Sequence, residues 1–439
     1  MDNSRKLTRF DLTALAIGNV IGGGIMSLLG LAIGLTGRSV VISIAICTIM
    51  VFISCIPQIF SSGTMQLEGG FYTQASVFGG RKLGGLYVLV FVTYFFSASL
   101  YALSFADYVL SFFPMLNVKI ISILLLSILL YFNIRGIKVA AEAQNIMVVL
   151  LITALVIFSF FGLPHVKSDF FNEKEFITNG FSGIMVAASL MSFATVGSAF
   201  IVNFSAYCRN PTKDIPFAII FSSIVVGAIY ILVAIVASGV FPIEHVANKP
   251  LAVTAKEVLP SPLYLFFMIF GAMTALITSL NALLGWITPP ILMACRDGWL
   301  PKWLGVCNKK YETPHRILLV IYVLTVLIIL AGLNLSSVAN ISDFLSNCVM
   351  SIVTFSLLKM PLVIPKRWAR SKFNINNNLY YFITIVGTLM TVIFCYYMAK
   401  ELSKMELIWT GVYLLACLIY VQFRSSKVLL PNEKQNDLS

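Results

Sequence analysis

Apolar residues in this chain do not alternate with polar ones at the spacing of a helix half in water. They run on in long, nearly uncharged stretches from about residue 10 to residue 423. A helix rising ~1.5 Å per residue needs about 20 such residues to cross a hydrocarbon layer ~30 Å thick. The runs predict twelve membrane-spanning helices, at about 10–35, 40–62, 83–113, 117–134, 142–163, 181–207, 215–241, 261–295, 316–333, 338–360, 378–398 and 405–423. The loops between them leave no room for a separately folded soluble unit. Residues 1–439 therefore read as one transmembrane domain.

Composition agrees with that pattern. Hydrophobic residues make up 59% of the chain and charged ones 11%, whereas a soluble domain carries roughly 25% charged residues to keep its surface wet. The charges are also unevenly placed. Of the 30 Lys and Arg residues, 22 fall at the termini and in the loops on their side, 8 fall in the opposite loops, and none sits in mid-span. This bias puts both termini in the cytoplasm, with the heaviest anchors at 296–316 and 366–372. The net charge of +12 is then a match for anionic lipid headgroups, not for nucleic acid. Arg5, Lys6 and Arg9 precede the first apolar run as in a signal peptide, but no small-residue cleavage site follows, so that run is expected to stay as helix 1.

Several chemistries drop out. The eight cysteines, at 47, 55, 208, 295, 307, 348, 395 and 417, fall in spans or on the expected cytoplasmic side and form no CxxC pair, disulfide framework or metal-ligand spacing. His165, His245 and His315 all lie in loops, so imidazole chemistry inside the membrane is excluded. No glycine-rich phosphate loop, zinc spacing or Ser/His/Asp arrangement occurs. No cofactor or metal is expected.

Two spans are interrupted in mid-membrane. Helix 1 contains Gly18-Asn19-Val20-Ile21-Gly22-Gly23-Gly24-Ile25-Met26, and three adjacent glycines cost a helix roughly 3 kcal/mol relative to alanine. Close packing through Gly18 and Gly22 would account for two small residues, but not for three in a row. Helix 6 carries Ser192-Phe193-Ala194-Thr195-Val196-Gly197-Ser198-Ala199, five helices later. Interruptions in the first helix of each of two five-helix halves point to an inverted-repeat transporter with its site at the midplane. The halves would be about 10–163 and 181–360, with 378–423 added. Freed amides at a half-helix N-terminus can hold a carboxylate, and freed carbonyls an ammonium, without a charged side chain.

These residues also carry a family resemblance. The stretch GNVIGGGIM resembles the helix 1 signature of the amino acid–polyamine–organocation superfamily, and CRNPTKDIPFAI at 208–219 resembles its linker between helices 6 and 7. Gly69-Gly70-Phe71-Tyr72 after helix 2 is similar to the family's G-G-x-Y, and Arg296-Asp297-Gly298-Trp299-Leu300-Pro301 with Thr313-Pro314 is similar to its A-R-D-G-x-L-P and T-P. The four motifs occur in the family's order and cover helices 1 to 9. The resemblance implies a LeuT-type fold of 5 + 5 helices plus two, with broken helices 1 and 6, in an amino acid permease or antiporter of the cytoplasmic membrane. It places the substrate carboxylate on the amides of Gly22, Gly23, Gly24 and Ile25. The amino group would lie against the carbonyls of Val20, Ile21, Phe193, Ala194 and Val196, with Phe193 as an aromatic lid.

The chain departs from the family where acids and bases are concerned. Many relatives carry a Glu two residues after the helix 6 glycine and acidic residues before the N-P motif; here Ala199, Ala206 and Tyr207 stand there. Leu151 occupies the place of a helix 5 lysine. The acidic residues well inside spans are Asp107 and Asp343; a wetted structural carboxylate and a gate or cation site both remain open for each. Neutral amino acids therefore rank above cationic ones and polyamines. Asn19, Asn281, Thr278 and Ser279 are candidates for hydrogen bonds to substrate or to neighbouring helices, and Thr278 and Ser279 also for a sodium site. The expected partners are an amino acid, the lipid bilayer and, as an open alternative, a second copy of the chain. A receptor without transport lacks an output domain, and a membrane-embedded enzyme would need a nucleophile, acid/base pair or metal cluster that the spans do not contain.

Overall fold

A computed structural model of the chain describes residues 6–171, 176–332 and 335–428, with the backbone alone for Phe193, 335–340 and Glu401. Among the described residues the protein is helical throughout, apart from one isolated bridge between Leu7 and Cys208. The chain begins with α1 (Arg9–Val20), α2 (Gly23–Thr36) and α3 (Val40–Thr64). A short helix, α4 (Phe71–Phe78), leads to α5 (Arg81–Phe91), α6 (Phe95–Phe112), α7 (Val118–Arg135) and α8 (Ile137–Gly162). The second half contains α9 (Gly180–Thr195), α10 (Pro211–Gly239), the short α11 (Ile243–Val246), α12 (Leu251–Val258) and α13 (Ser261–Phe266), and then α14 (Thr274–Asp297). It continues through α15 (His315–Ala331) and α16 (Leu335–Ser356). After the short α17 (Met360–Val363) and α18 (Pro365–Arg370), α19 (Asn377–Glu401) and α20 (Lys404–Arg424) end the chain.

Nine helical runs among the described residues are long and apolar enough to cross a membrane, and α9 and α15 are shorter apolar helices. One run, Gly23–Thr64, spans 42 residues, about twice the length a bilayer needs. It turns back at Gly37, whose φ of 72° lies where only glycine sits without steric cost. The starts are written locally: Thr8 and Asp11 form a reciprocal capping box at α1, and Ser403 with Glu406 does the same at α20. These side chains satisfy amides that a helix N-terminus leaves without partners.

The packing suits a lipid solvent. Ile120, Ile146, Phe160 and Phe423 point outward, each more than 60% exposed. Polar side chains such as Gln144, Asn133, Asn281 and Thr278 are buried. With no water at that depth, a polar group needs a partner inside the protein. α1 occupies the middle, packed against α8, α10 and α14. Its neighbour α2 packs on α9 and is pinned at its far end by the loop before α12, where the Asn248 amide donates to the Gly30 carbonyl at 2.8 Å. Arg38, wholly buried in the turn after α2, donates to the carbonyl of Asp169 at 2.7 Å.

Three of the four sequence motifs, those after helices 2, 6 and 8, converge at one end of the bundle, while the glycine stretch of helix 1 lies at mid-span. The Tyr72 hydroxyl donates to the Asp297 carboxylate at 2.8 Å, and the Phe71 amide to the Asn203 side chain at 3.0 Å. The Trp299 ring lies against Gly85, where a Cβ would meet it at 2.6 Å. The segment before α1 is held by the linker after helix α9, with Leu7 between Tyr207 and Arg209 at 2.8 and 3.1 Å and Arg9 on Asp214 at 2.9 Å.

A Cβ at Gly30 would come within 1.8 Å of the Lys249 carbonyl, whereas one at Gly411 meets nothing within 4 Å. Gly30→Ala should therefore cost about 1–3 kcal/mol through forced backbone displacement, while Gly411→Ala in the middle of α20 should stabilise slightly. Thermal unfolding of the detergent-solubilised variants reads both; equal melting temperatures would refute the packing described for α2.

Candidate functional site

Both interruptions expected from the sequence are real breaks in the backbone. α1 ends at Val20, Gly22 is extended (φ −118°, ψ −162°), and α2 begins at Gly23. The Gly22 amide turns back to the Val20 carbonyl at 2.9 Å. The last carbonyls of α1 and the first amides of α2 are thereby left without helical partners. α9 ends at Thr195, Val196 is extended, and a tight 3₁₀ stretch, Ser198–Tyr207, carries the chain on. Gly197 has φ 153°, a conformation strained for any other residue, and a Cβ there would press on the Asn19 amide nitrogen at 3.0 Å.

The two breaks face each other. A Cβ at Gly24 would lie 2.8 Å from that of Ala194, so the α2 N-terminus rests directly on the end of α9. Asn19 ties the breaks together: its amide nitrogen donates to the Gly197 carbonyl at 2.9 Å, and its oxygen accepts from the Trp286 indole at 2.9 Å. Tyr230, wholly buried on α10, brings its hydroxyl within 3.1 Å of both the Val20 and the Ala194 carbonyls. One hydroxyl proton thus serves the freed ends of two helices. Gly22 and Ala194 are buried, whereas Asn19, Gly23, Gly24 and Val196 keep partial exposure.

Aromatic rings close over one side of this junction. Trp286 stacks on Phe200 with centroids 4.4 Å apart and meets the Tyr94 ring edge-on at 5.1 Å. Phe91 approaches the same indole at 5.5 Å. On another side α14 supplies contacts from below: Ser279 donates to the Gly18 carbonyl at 3.2 Å and would meet a Cβ at Gly22 at 2.6 Å, while Leu276 would meet one at Gly23 at 2.8 Å. The Thr278 hydroxyl stays within its own helix, on the carbonyls of Thr274 and Ala275. Gln144 of α8 donates to the Thr278 carbonyl at 3.1 Å and accepts from Asn281 at 2.8 Å, and Asn133 donates to Asn281 at 2.9 Å.

Val20 to Ile25, Asn19, Ala194 and Val196 are thus brought together, and Thr278 and Ser279 flank them. Phe193 ends α9 with its backbone at the junction; its side chain, and with it the lid reading, lies outside the described residues. Asp107 is exposed at the end of α6, away from the breaks. Asp343 is partly buried on α16, where the neighbouring Ser342 donates to the Thr93 carbonyl at 3.3 Å. Sequence reasoning missed Tyr230, Trp286, Phe200 and Gln144. Tyr230 carried a signal, a polar-tipped ring in the middle of an otherwise apolar span, but that signal does not say which helix ends the hydroxyl reaches.

A multi-pass helical membrane protein with two facing helix breaks defines the class, and the comparisons give the family. The chain belongs to the amino acid permease family, whose sequence model matches residues 7–423, and the resemblance to the amino acid–polyamine–organocation superfamily is borne out. It is similar to the branched-chain amino acid permease BcaP of Bacillus subtilis (strain 168), 26% identical over 340 residues that cover 71% of each chain. The methylthioribose transporter of the same organism is 26% identical over 337 residues, covering 71% of this chain and 72% of that one. The chloroplastic cationic amino acid transporter 9 of Arabidopsis thaliana is 25% identical over 325 residues, covering 68% of this chain and 56% of that protein.

Tyr230→Phe removes a hydroxyl and nothing else. If that hydroxyl sets the spacing of the two breaks, transport should fall about tenfold, the effect of losing one buried hydrogen bond of ~1–1.5 kcal/mol, with little change in expression or melting temperature. Uptake by reconstituted vesicles is the measurement, and an unchanged rate would separate Tyr230 from the site.

Proposed function

We propose that this protein carries amino acids across the cytoplasmic membrane by alternating access, mainly by exchange and with neutral amino acids preferred. The observation that carries the reading is the facing pair of helix breaks, bridged by Tyr230 and Asn19. A zwitterion needs an anion site and a cation site about one residue apart, and the breaks offer both. The α-carboxylate would rest on the amides of Gly22, Gly23, Gly24 and Ile25, at the positive end of α2. The α-ammonium would meet the carbonyls of Val20, Ile21, Phe193, Ala194 and Val196. Tyr230 already donates to two of these, and a carbonyl with two lone pairs can accept from an ammonium as well.

Our reading of the architecture goes further than nine long helices. Gly23–Thr64 turns back at Gly37, and α9 and α15 add two crossings, so we count twelve in a 5 + 5 arrangement plus two, with repeats at about 10–163 and 181–360. The basic bias of the loops supports cytoplasmic termini.

No carboxylate contacts either break among the described residues, which favours a neutral side chain over a cationic one. Coupling follows from the same inventory. Leu151 stands where a helix 5 lysine would, and Gln144, which cannot titrate, holds the Thr278 carbonyl. The Thr278 and Ser279 hydroxyls give their protons to the backbone carbonyls of Thr274, Ala275 and Gly18, so neither supplies a titrating group for proton coupling.

Gly23→Leu should abolish uptake without loss of membrane insertion, since a side chain would fill the space between the amides and Leu276. Wild-type flux from a correctly inserted variant would sink the site. For coupling, counterflow of labelled amino acid in vesicles at several external pH values should continue without an imposed gradient and should survive Asp107→Asn. Uptake that follows a proton gradient with no internal amino acid present would overturn the exchange reading.

A further inference from the structure

The segments after α3 and α14, with the end of the 3₁₀ stretch that follows the second break, enclose a cavity of about 420 Å³. That is within the ~300–1,000 Å³ of small-molecule sites. Its walls carry both signs of charge: Glu68 and Glu312 line it together with Arg296 and Lys309, and all four are exposed. The rest of the wall is less exposed and largely apolar, with Pro289 and Leu292 buried and Met293 and Tyr207 half-buried. An anion alone would meet two carboxylates there, and a cation alone two bases. An amino acid brings both charges, and an apolar side chain for the remaining wall.

Glu312 stands out within this set. Its loop is closed by two backbone bonds of 2.8 Å, from the Asn308 amide to the Thr313 carbonyl and from the Glu312 amide to the Asn308 carbonyl. The loop holds Glu312 at φ 56°, a left-handed conformation that glycine takes at lower cost. A carboxylate kept at a strained position on a cavity wall points to use of its side chain.

The cavity also leads inward. A smaller one of about 20 Å³, with room for about one water, shares Tyr207 and Glu312 with it and reaches Asn133 and Gly285. The Phe204 ring lies against Gly285, where a Cβ would meet it at 3.0 Å. The next residue is Trp286, whose indole bonds Asn19 at the first break. The inner wall of the small cavity is thus one residue from the ring that closes over the breaks.

We propose that the larger cavity is a second binding site for the transported zwitterion, with Arg296 and Lys309 toward its carboxylate and Glu68 and Glu312 toward its ammonium. The inference rests on the amino acid transport reading above and adds to it a holding point outside the breaks, at the end of the bundle where the loop cations gather.

Cys307 lines the same cavity and is half-buried, so its thiol reports occupancy. The measurement is its rate of reaction with N-ethylmaleimide in detergent-solubilised protein, followed by peptide mass spectrometry. Leucine at ten times its half-protecting concentration should slow the reaction about tenfold. Isocaproate, which lacks the ammonium, and isoamylamine, which lacks the carboxylate, should protect at least fivefold more weakly, and Arg296→Gln should raise the half-protecting concentration of leucine about fivefold. Gly23→Leu, with the break site filled, should still be protected. Absence of slowing in wild type, equal protection by isocaproate or isoamylamine, or loss of protection in a folded Gly23→Leu overturns the proposal. Should Gly23→Leu not fold, Arg296→Gln decides, and an unchanged half-protecting concentration overturns it. Uptake of labelled leucine by reconstituted wild type is read alongside: uptake without protection sinks this inference alone, whereas no uptake sinks the transport reading and this inference with it.

Discussion

A helix that stops in the middle of a membrane leaves backbone groups with no water to satisfy them, and the structure is organised around that constraint. Where such a helix stops, up to four carbonyls lack helical partners, and where one restarts, up to four amides do; both sets must find partners in protein or in cargo. Here the partners are few and specific. Tyr230 reaches the last carbonyls of α1 and α9 at once, and Asn19 joins the second break to the Trp286 indole. Each is a single side chain spanning two helices, so the breaks are stabilised only when α1, α9, α10 and α14 are all in register.

This arrangement links stability to function. The freed groups are satisfied by neutral hydrogen-bonding side chains and not by charges, so a zwitterionic ligand can compete for them with modest reorganisation. A salt bridge in the same place would be costly to desolvate and costly to break. Three ion pairs of the described residues lie elsewhere: Arg9 with Asp214 and Lys138 with Asp11 at one end of the bundle, and Arg38 with Asp169 at the turn after α2. The first two hold the start of α1 against α10 and α8. Two of the other motifs meet at this same end, through Tyr72 with Asp297, and Trp299 packs there on Gly85, so these signature residues have a mechanical role apart from the helix 1 glycines at the breaks.

The glycines show how one residue type does two jobs. Packing alone explains Gly18, whose hydrogen faces the Gln144 amide at a distance no Cβ could keep, and Gly22, which faces Ser279. Gly23 and Gly24 are likewise closely covered, by Leu276 and Ala194, yet they also open α2 with free amides. The close-packing and ligand-binding readings of this stretch are therefore not alternatives. The backbone must approach its neighbours closely in order to present those amides inside a small space.

By itself the sequence determined the solvent, the helix positions and the two interruptions, because each is a local property: apolar length, charge placement, and three glycines or a Gly/Ser/Thr run where a helix should continue. The boundaries at α8, α10, α19 and α20 follow from those signals within a few residues. The short α4 escaped, since eight residues set between loops carry no membrane-length pattern. Only the tertiary structure decided which side chains serve the breaks. Asn19 was visible for its position one turn before the glycines, but Tyr230 lies 210 residues from Val20 along the chain and Trp286 lies 267 from Asn19. No local pattern encodes which hydroxyl reaches which carbonyl. The same limit applied to Asp107 and Asp343: alike as intramembrane acids in the sequence, they are separated by packing alone, which leaves Asp107 exposed on α6 and Asp343 partly buried on α16.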